Sequence, residues 1–66
     1  MENLLKILAK HGVNVIHSGL NTFTTDNVIF NVNTQSWEPA RYRLEGSRIV
    51  GDDGEEFRNV WEFLGY

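Results

Sequence analysis

The sequence predicts a small α+β fold: an N-terminal helix, an antiparallel β-meander of four to five short strands, and a C-terminal helix packed on one sheet face. Three observations predict it. From Val28 to Val50 apolar and polar residues alternate, with turn-prone residues between the runs, as in successive half-buried strands. Before that stretch, Leu4, Leu5, Ile7 and Leu8 recur at spacings of three and four, the signature of one apolar helix face. After it, Phe57, Val60, Trp61 and Leu64 repeat the helical spacing.

The N-terminal helix is expected over residues 3 to 11. Asn3 is a candidate N-cap, and Gly12 suits a left-handed C-cap after Lys10 and His11. Val13 to His17 reads as a strand, and Ser18-Gly19-Leu20-Asn21 as a turn. Thr22 to Thr25 is a second strand, rich in β-branched residues. Asp26-Asn27 then reads as a tight turn, since both residues tolerate positive φ.

Val28 to Asn33 is the next strand, with Val28, Phe30 and Val32 on one side and Ile29, Asn31 and Asn33 on the other. Thr34-Gln35-Ser36 separates it from the strand that begins at Trp37. Pro39 lacks an N–H and belongs at a strand start or sheet edge. Ala40, Tyr42 and Leu44 alternate with Arg41 and Arg43. Glu45-Gly46-Ser47 turns the chain into Arg48-Ile49-Val50. The expected core is Leu4, Leu8, Val15, Phe30, Val32, Tyr42, Leu44, Phe57, Val60 and Trp61. Asp53-x-x-Glu56 has the form of a capping box for the last helix, and Asp52, Asp53, Glu55 and Glu56 suit its positive end.

With 66 residues the chain is one domain, residues 1–66. At that length a chain buries only about 60% of its unfolded surface, so a partner or a second copy is the most available extra source of stability. There is no cysteine, so disulfides and thiolate metal sites are ruled out. The formal net charge of −3 gives no general attraction to nucleic acid or anionic membrane. No apolar run approaches the ~20 residues of a membrane span. The N-terminal pattern is not that of a signal peptide, which makes a cytoplasmic location the default expectation.

Catalytic constellations are sparse. His17 beside Ser18 lacks the third, orienting group that an activated nucleophile requires, and adjacency in sequence is no evidence for the geometry. The six glycines stand singly at element ends, unlike a phosphate-binding loop. Asp52-Asp53-Gly54-Glu55-Glu56 carries oxygen ligands suited to calcium or magnesium, but not at EF-hand spacing, and a helix cap accounts for the charges. No enzyme, no cofactor and no metal site is expected.

Two surfaces are candidates for binding. Arg41 and Arg43 are expected to share a sheet face with Ile29 and Asn31, with Trp37 at its margin. Arginine and aromatic residues are over-represented at protein interface anchors, and such a sheet also suits single-stranded nucleic acid. The bland alternative is a solvated face with the arginines paired to Glu38 or Glu45. Phe63 and Tyr66 fall to another side of the last helix and are expected either to wrap the sheet edge or to join a homodimer or partner surface. The function expected is a small non-enzymatic protein-binding module, an adaptor or inhibitor of a larger protein. A size-based prior adds a phage or mobile-element accessory protein. The alternatives are a single-stranded nucleic-acid binder using Arg41, Arg43 and Trp37 and, last, a metal-assisted enzyme using Asp52 to Glu56.

Overall fold

The computed structural model describes residues 2–66. Helix α1 spans Glu2–Lys10, followed by β1 (Val15–Ser18), β2 (Thr22–Asn31), β3 (Ser36–Glu45), β4 (Arg48–Gly51), β5 (Glu56–Phe57) and helix α2 (Val60–Phe63). The five strands form one sheet in the order β1-β2-β3-β4-β5, antiparallel throughout. The expected architecture is therefore the observed one: an N-terminal helix, an antiparallel meander and a C-terminal helix packed against β4 and β5.

The ends of α1 follow local chemistry. Asn3 lies within its first turn and so does not cap it. At the other end Gly12 takes φ +83°, its amide donates to the Ala9 carbonyl at 3.1 Å, and the Val13 amide donates to Leu8 at 2.9 Å. This satisfies two carbonyls of the last turn and sends the chain toward the sheet. Between β3 and β4 only Gly46 and Ser47 intervene. Gly46 takes φ +66°, the left-handed start that matches the twist of a tight hairpin.

The central hairpin differs from expectation in two ways. Thr22 to Asn31 is a single strand. Asp26 and Asn27 do not turn the chain back; with Thr25 they form a bulge opposite Ala40, between the pairs Thr24↔Arg41 and Val28↔Pro39. The Asp26 amide donates to Asn14 O at 3.1 Å, and Asp26 Oδ2 accepts from Asn14 Nδ2 at 3.2 Å, so β1 holds the bulge.

The second difference reverses the predicted faces. The loop between β2 and β3 is Val32 to Gln35, closed by the pair Asn31↔Ser36, not the shorter Thr34-Gln35-Ser36. A one-residue change in loop length moves every side chain of a strand to the other face relative to its neighbour. Phe30 therefore pairs with Trp37, and Val28 with Pro39, on the face that carries Arg41 and Arg43. Ile29 and Asn31 lie on the opposite face, that of Ala40, Tyr42 and Leu44.

Both helices cover that second face. The core is Leu8, Phe23 and Ile49, each fully buried, with Leu4, Leu5, Val13, Val15, Tyr42, Leu44, Phe57, Val60, Phe63 and Leu64 packed around it. Phe30, Val32 and Trp61, expected in the core, are exposed. Phe63, expected at a partner surface or a sheet edge, is the hub of the aromatic core. Its ring meets Phe23, Tyr42 and Phe57 edge-on at centroid distances of 5.8, 4.9 and 5.1 Å. Tyr42 also stacks on Phe23 at 5.2 Å.

The exchange of Trp61 for Phe63 has a local cause. Helix α2 is a single turn that starts after Asn59, whose Oδ1 accepts from the Glu62 amide at 3.0 Å. Phe57 belongs to β5, so helical phase cannot be counted from it. Counting from Val60 puts Val60, Phe63 and Leu64 inward and Trp61 outward. In place of the expected capping box at Asp53, the helix has a single side-chain N-cap at Asn59. Asp53 Oδ1 instead accepts from the Glu55 amide at 3.1 Å, within the turn joining β4 and β5.

Two outcomes follow for stability. Phe23→Ala should cost ~3–5 kcal/mol, enough to unfold a chain of this size, whereas Phe30→Ala should cost no more than about 1.5 kcal/mol in urea unfolding. Comparable losses from the two would show the faces to be misassigned. Burial, aided by the Glu55 and Asp53 carboxylates, holds the Tyr42 hydroxyl above the usual tyrosine value of 10.0. A group whose proton is held more tightly in the folded state stabilises the fold below its unfolded value and loses that contribution as pH rises through the folded one. The urea midpoint should therefore fall above pH 10, and Tyr42→Phe should flatten that part of the profile.

Candidate functional site

Beyond Thr24 and Arg41 the β2–β3 hairpin leaves the rest of the sheet. Strand β1 pairs with β2 no further than Thr25, and β4 pairs with β3 only from Tyr42 to Glu45. Val28–Asn31 and Ser36–Pro39 pair only with each other and form a two-stranded arm. Its turn is built locally. Asn31 Oδ1 accepts from the amides of Asn33 at 2.9 Å and Thr34 at 3.4 Å, and Gln35 closes the loop at φ +56°.

The two faces of the arm differ. On the helix side stand Ile29, Asn31 and Glu38, which line two grooves near the Asp52-Asp53 turn; one of these also reaches Thr24, Pro39 and Arg41 at the edge of β3. Glu38 Oε2 accepts from the Thr34 hydroxyl at 2.8 Å and the Ser36 hydroxyl at 3.4 Å. On the open side stand Val28, Phe30, Trp37 and Pro39. Phe30 and Trp37 meet edge-to-face at 5.3 Å. Even so, Phe30 is 47% exposed, Val28 54% and Trp37 69%. This apolar patch is continuous, through Pro39 and Thr24, with Arg41 and then Arg43.

Farther along the open face the charges pair with one another. Arg43 Nε donates to Glu45 Oε2 at 2.7 Å, and Arg48 pairs with Glu56. Both pairs are about half exposed. Exposed pairs of this kind contribute roughly 0–1 kcal/mol, but they neutralise the face locally. Among the described residues Arg41 forms no salt bridge. The expected pairing of the face arginines holds for Arg43 with Glu45; Glu38 lies on the other side of the arm.

The residues named from sequence thus divide into four places. Trp37, Arg41 and Arg43 come together on the open face. Ile29 and Asn31 lie behind it. Phe63 is in the core. Tyr66 is 78% exposed, yet its ring stands edge-on to His11 at 5.6 Å and to Trp61 at 6.1 Å, and its hydroxyl lies 3.2 Å from His11 Nδ1. It ties the C-terminal segment to the end of α1. Val28, Phe30 and Pro39 were missed as surface residues. Their signal was the length of the Asn31–Ser36 loop, because the Asn31 side chain can accept from the amides two and three residues on and so start an Asx-type turn earlier, despite Val32.

Among the described residues no group of three or more His, Cys, Asp or Glu side chains is placed to hold a metal ion. Among the same residues no helix is long and apolar enough to cross a membrane. His17 lies exposed on β1, and His11 is engaged with Tyr66 and Trp61. Glu62 is held below the usual carboxylate range by its hydrogen bond from Arg58, an exposed pair one turn apart in sequence.

Because Arg41 is exposed and makes no ion pair among the described residues, Arg41→Ala should leave the free energy of urea unfolding within about 0.5 kcal/mol of the native chain. A larger loss would mean that its side chain supports the arm.

No family model, no curated protein and no solved structure matches this chain.

Proposed function

We propose that the chain is a small non-enzymatic protein-binding module, an adaptor or inhibitor of a larger protein, and that it binds through the open face of the arm. The observation that carries this reading is the exposed Phe30–Trp37 pair, flanked by Val28 and Pro39 on a face that neither helix covers. A contiguous apolar patch costs solubility and marks contact surfaces in otherwise polar chains. Tryptophan and arginine are the residue types that most often anchor such contacts, because a rigid aromatic body gains a large buried area at low entropic cost.

Single-stranded nucleic acid is the second reading, since Phe30 and Trp37 beside Arg41 also resemble a stacking platform. Charge weighs against it. Arg43 and Arg48 are matched by Glu45 and Glu56, and the chain as a whole carries −3. One unmatched arginine supplies little of the counterion release that drives such binding.

The test is capture from cells of the source organism by the tagged chain and by its Trp37→Ala variant in parallel, with a low-salt titration of a fluorescent oligo-dT. The protein reading expects a species retained by the native chain and weakened at least ~30-fold in the variant, the scale of an interface anchor. Salt-sensitive oligo-dT binding that Trp37→Ala removes would transfer the face to the nucleic-acid reading. Retention that ignores Trp37 would remove the arm from the site.

A further inference from the structure

The charges around the arm restrict what can cover it. On the open face Glu45 is taken by Arg43 and Glu56 by Arg48. Asp26, in the bulge, holds the Asn14 amide, and Glu38 is on the opposite face, held by Thr34 and Ser36. Arg41, two residues beyond Pro39 on the strand, is exposed and borders a groove with Glu38 and Asp52, but among the described residues it has no carboxylate within ion-pair distance. A molecule that covers Val28, Phe30 and Trp37 also takes the neighbouring guanidinium partly out of water. An arginine desolvated without a counter-charge opposes binding, whereas one that gains a carboxylate at a contact favours it.

We infer that the partner is a different protein that brings an aspartate or glutamate side chain to Arg41 within an otherwise apolar contact on Val28, Phe30 and Trp37. The inference rests on the reading of the arm as the binding face and adds the chemistry of the partner.

A second copy of this chain fits less well. In a two-fold, face-to-face packing centred on the Phe30–Trp37 pair, Arg41 lies roughly 13 Å from the centre, at about 3.3 Å per strand residue. With the strands of the two copies running in opposite directions, the equivalent point on the other copy lies past its hairpin tip, Val32 to Gln35, which carries no charge. Both arginines of such a dimer would stay unmatched. Of the other carboxylates, Glu45 and Glu56 could reach Arg41 only by leaving Arg43 or Arg48, and Asp26 only by leaving Asn14.

The test uses the full chain as bait against a displayed library of random peptides about twelve residues long, with the individual binders then measured in solution. Peptides that carry an Asp or Glu among aliphatic and aromatic residues are expected to be enriched. Their affinity should fall at least tenfold for Arg41→Glu and be lost for Trp37→Ala. Replacing the peptide's acidic residue by Lys should restore binding to the Arg41→Glu chain, a recovery that general unfolding cannot mimic. Thermal midpoints of both variants near the native value complete the control.

Trp37-dependent binders that lack an acidic residue, or that tolerate Arg41→Glu, overturn the carboxylate seat and leave the arm as a binding face. An empty selection, or binders indifferent to Trp37→Ala, overturns both. Sedimentation showing a dimer that Trp37→Ala dissociates assigns the face to a second copy and overturns the inference. Tight oligo-dT binding dependent on Arg41 does the same in favour of a phosphate.

Discussion

Asn31 gathers the amides of Asn33 and Thr34 on its side-chain oxygen, and Gln35 closes the same loop from the left-handed region. This local geometry makes Asn31 face Ser36 and so pairs odd-numbered positions of β2 with even-numbered positions of β3. Phe23 can then stack on Tyr42, and Phe63 can close over both. The bulge at Thr25–Asn27 gives β2 two more residues than β3, an even number, so the facing survives into the arm. Were the loop one residue shorter, Phe23 would face away from Tyr42 and the aromatic core could not assemble.

A chain of this size has two short helices to spend on covering a sheet, and both go to the Phe23 face. The long axis of the molecule, 33 Å against 24 and 20 Å, leaves the hairpin end outside their reach. Where the core thins, packing is replaced by shorter-range devices. Hydroxyls of Thr34 and Ser36 hold Glu38, and one ring pair holds the two strands together. Near the base of the sheet the open face differs: Val50 lies buried between its cross-strand partners Arg43 and Glu56, whose side chains remain about half in water.

The sequence disclosed what depends on short spacing and hid what depends on register. Helix α1, its glycine stop, strands β3 and β4 and the overall order of elements follow from local patterns. Tyr42 and Leu44 fall on the covered side because alternation within one strand is visible in the chain, and Leu8 does so because helical spacing is. Which residues of β2 join them is not visible there, since it depends on loop length, and the loop Val32 to Gln35 opens on an apolar residue that reads as a continuation of the strand. The same loss of phase explains α2. The acidic run before Phe57 has cap chemistry, but Phe57 finds a strand partner in Ile49, and the helix waits for Asn59. For the candidate site, Trp37, Arg41 and Arg43 survive because they alternate on β3 alone. Ile29 and Asn31 do not, because their membership required the cross-strand register.

The arm joins stability to recognition. A two-stranded ribbon outside a sheet is marginal in water, and what secures this one is an aromatic pair that remains half exposed. Removing Phe30 or Trp37 therefore acts on two things at once: the contact surface and the order of the strands that present it. Arg41 separates them. It stands at the base of the arm, where β2 and β3 are still flanked by the Asp26–Asn14 and Asp52–Arg41 backbone bonds, and it contributes no ion pair to the fold. A change there alters the charge that a partner meets without loosening the ribbon. Charge at Arg41 is thus the cleaner probe of recognition, and the aromatic pair the cleaner probe of how far the arm's own order limits it.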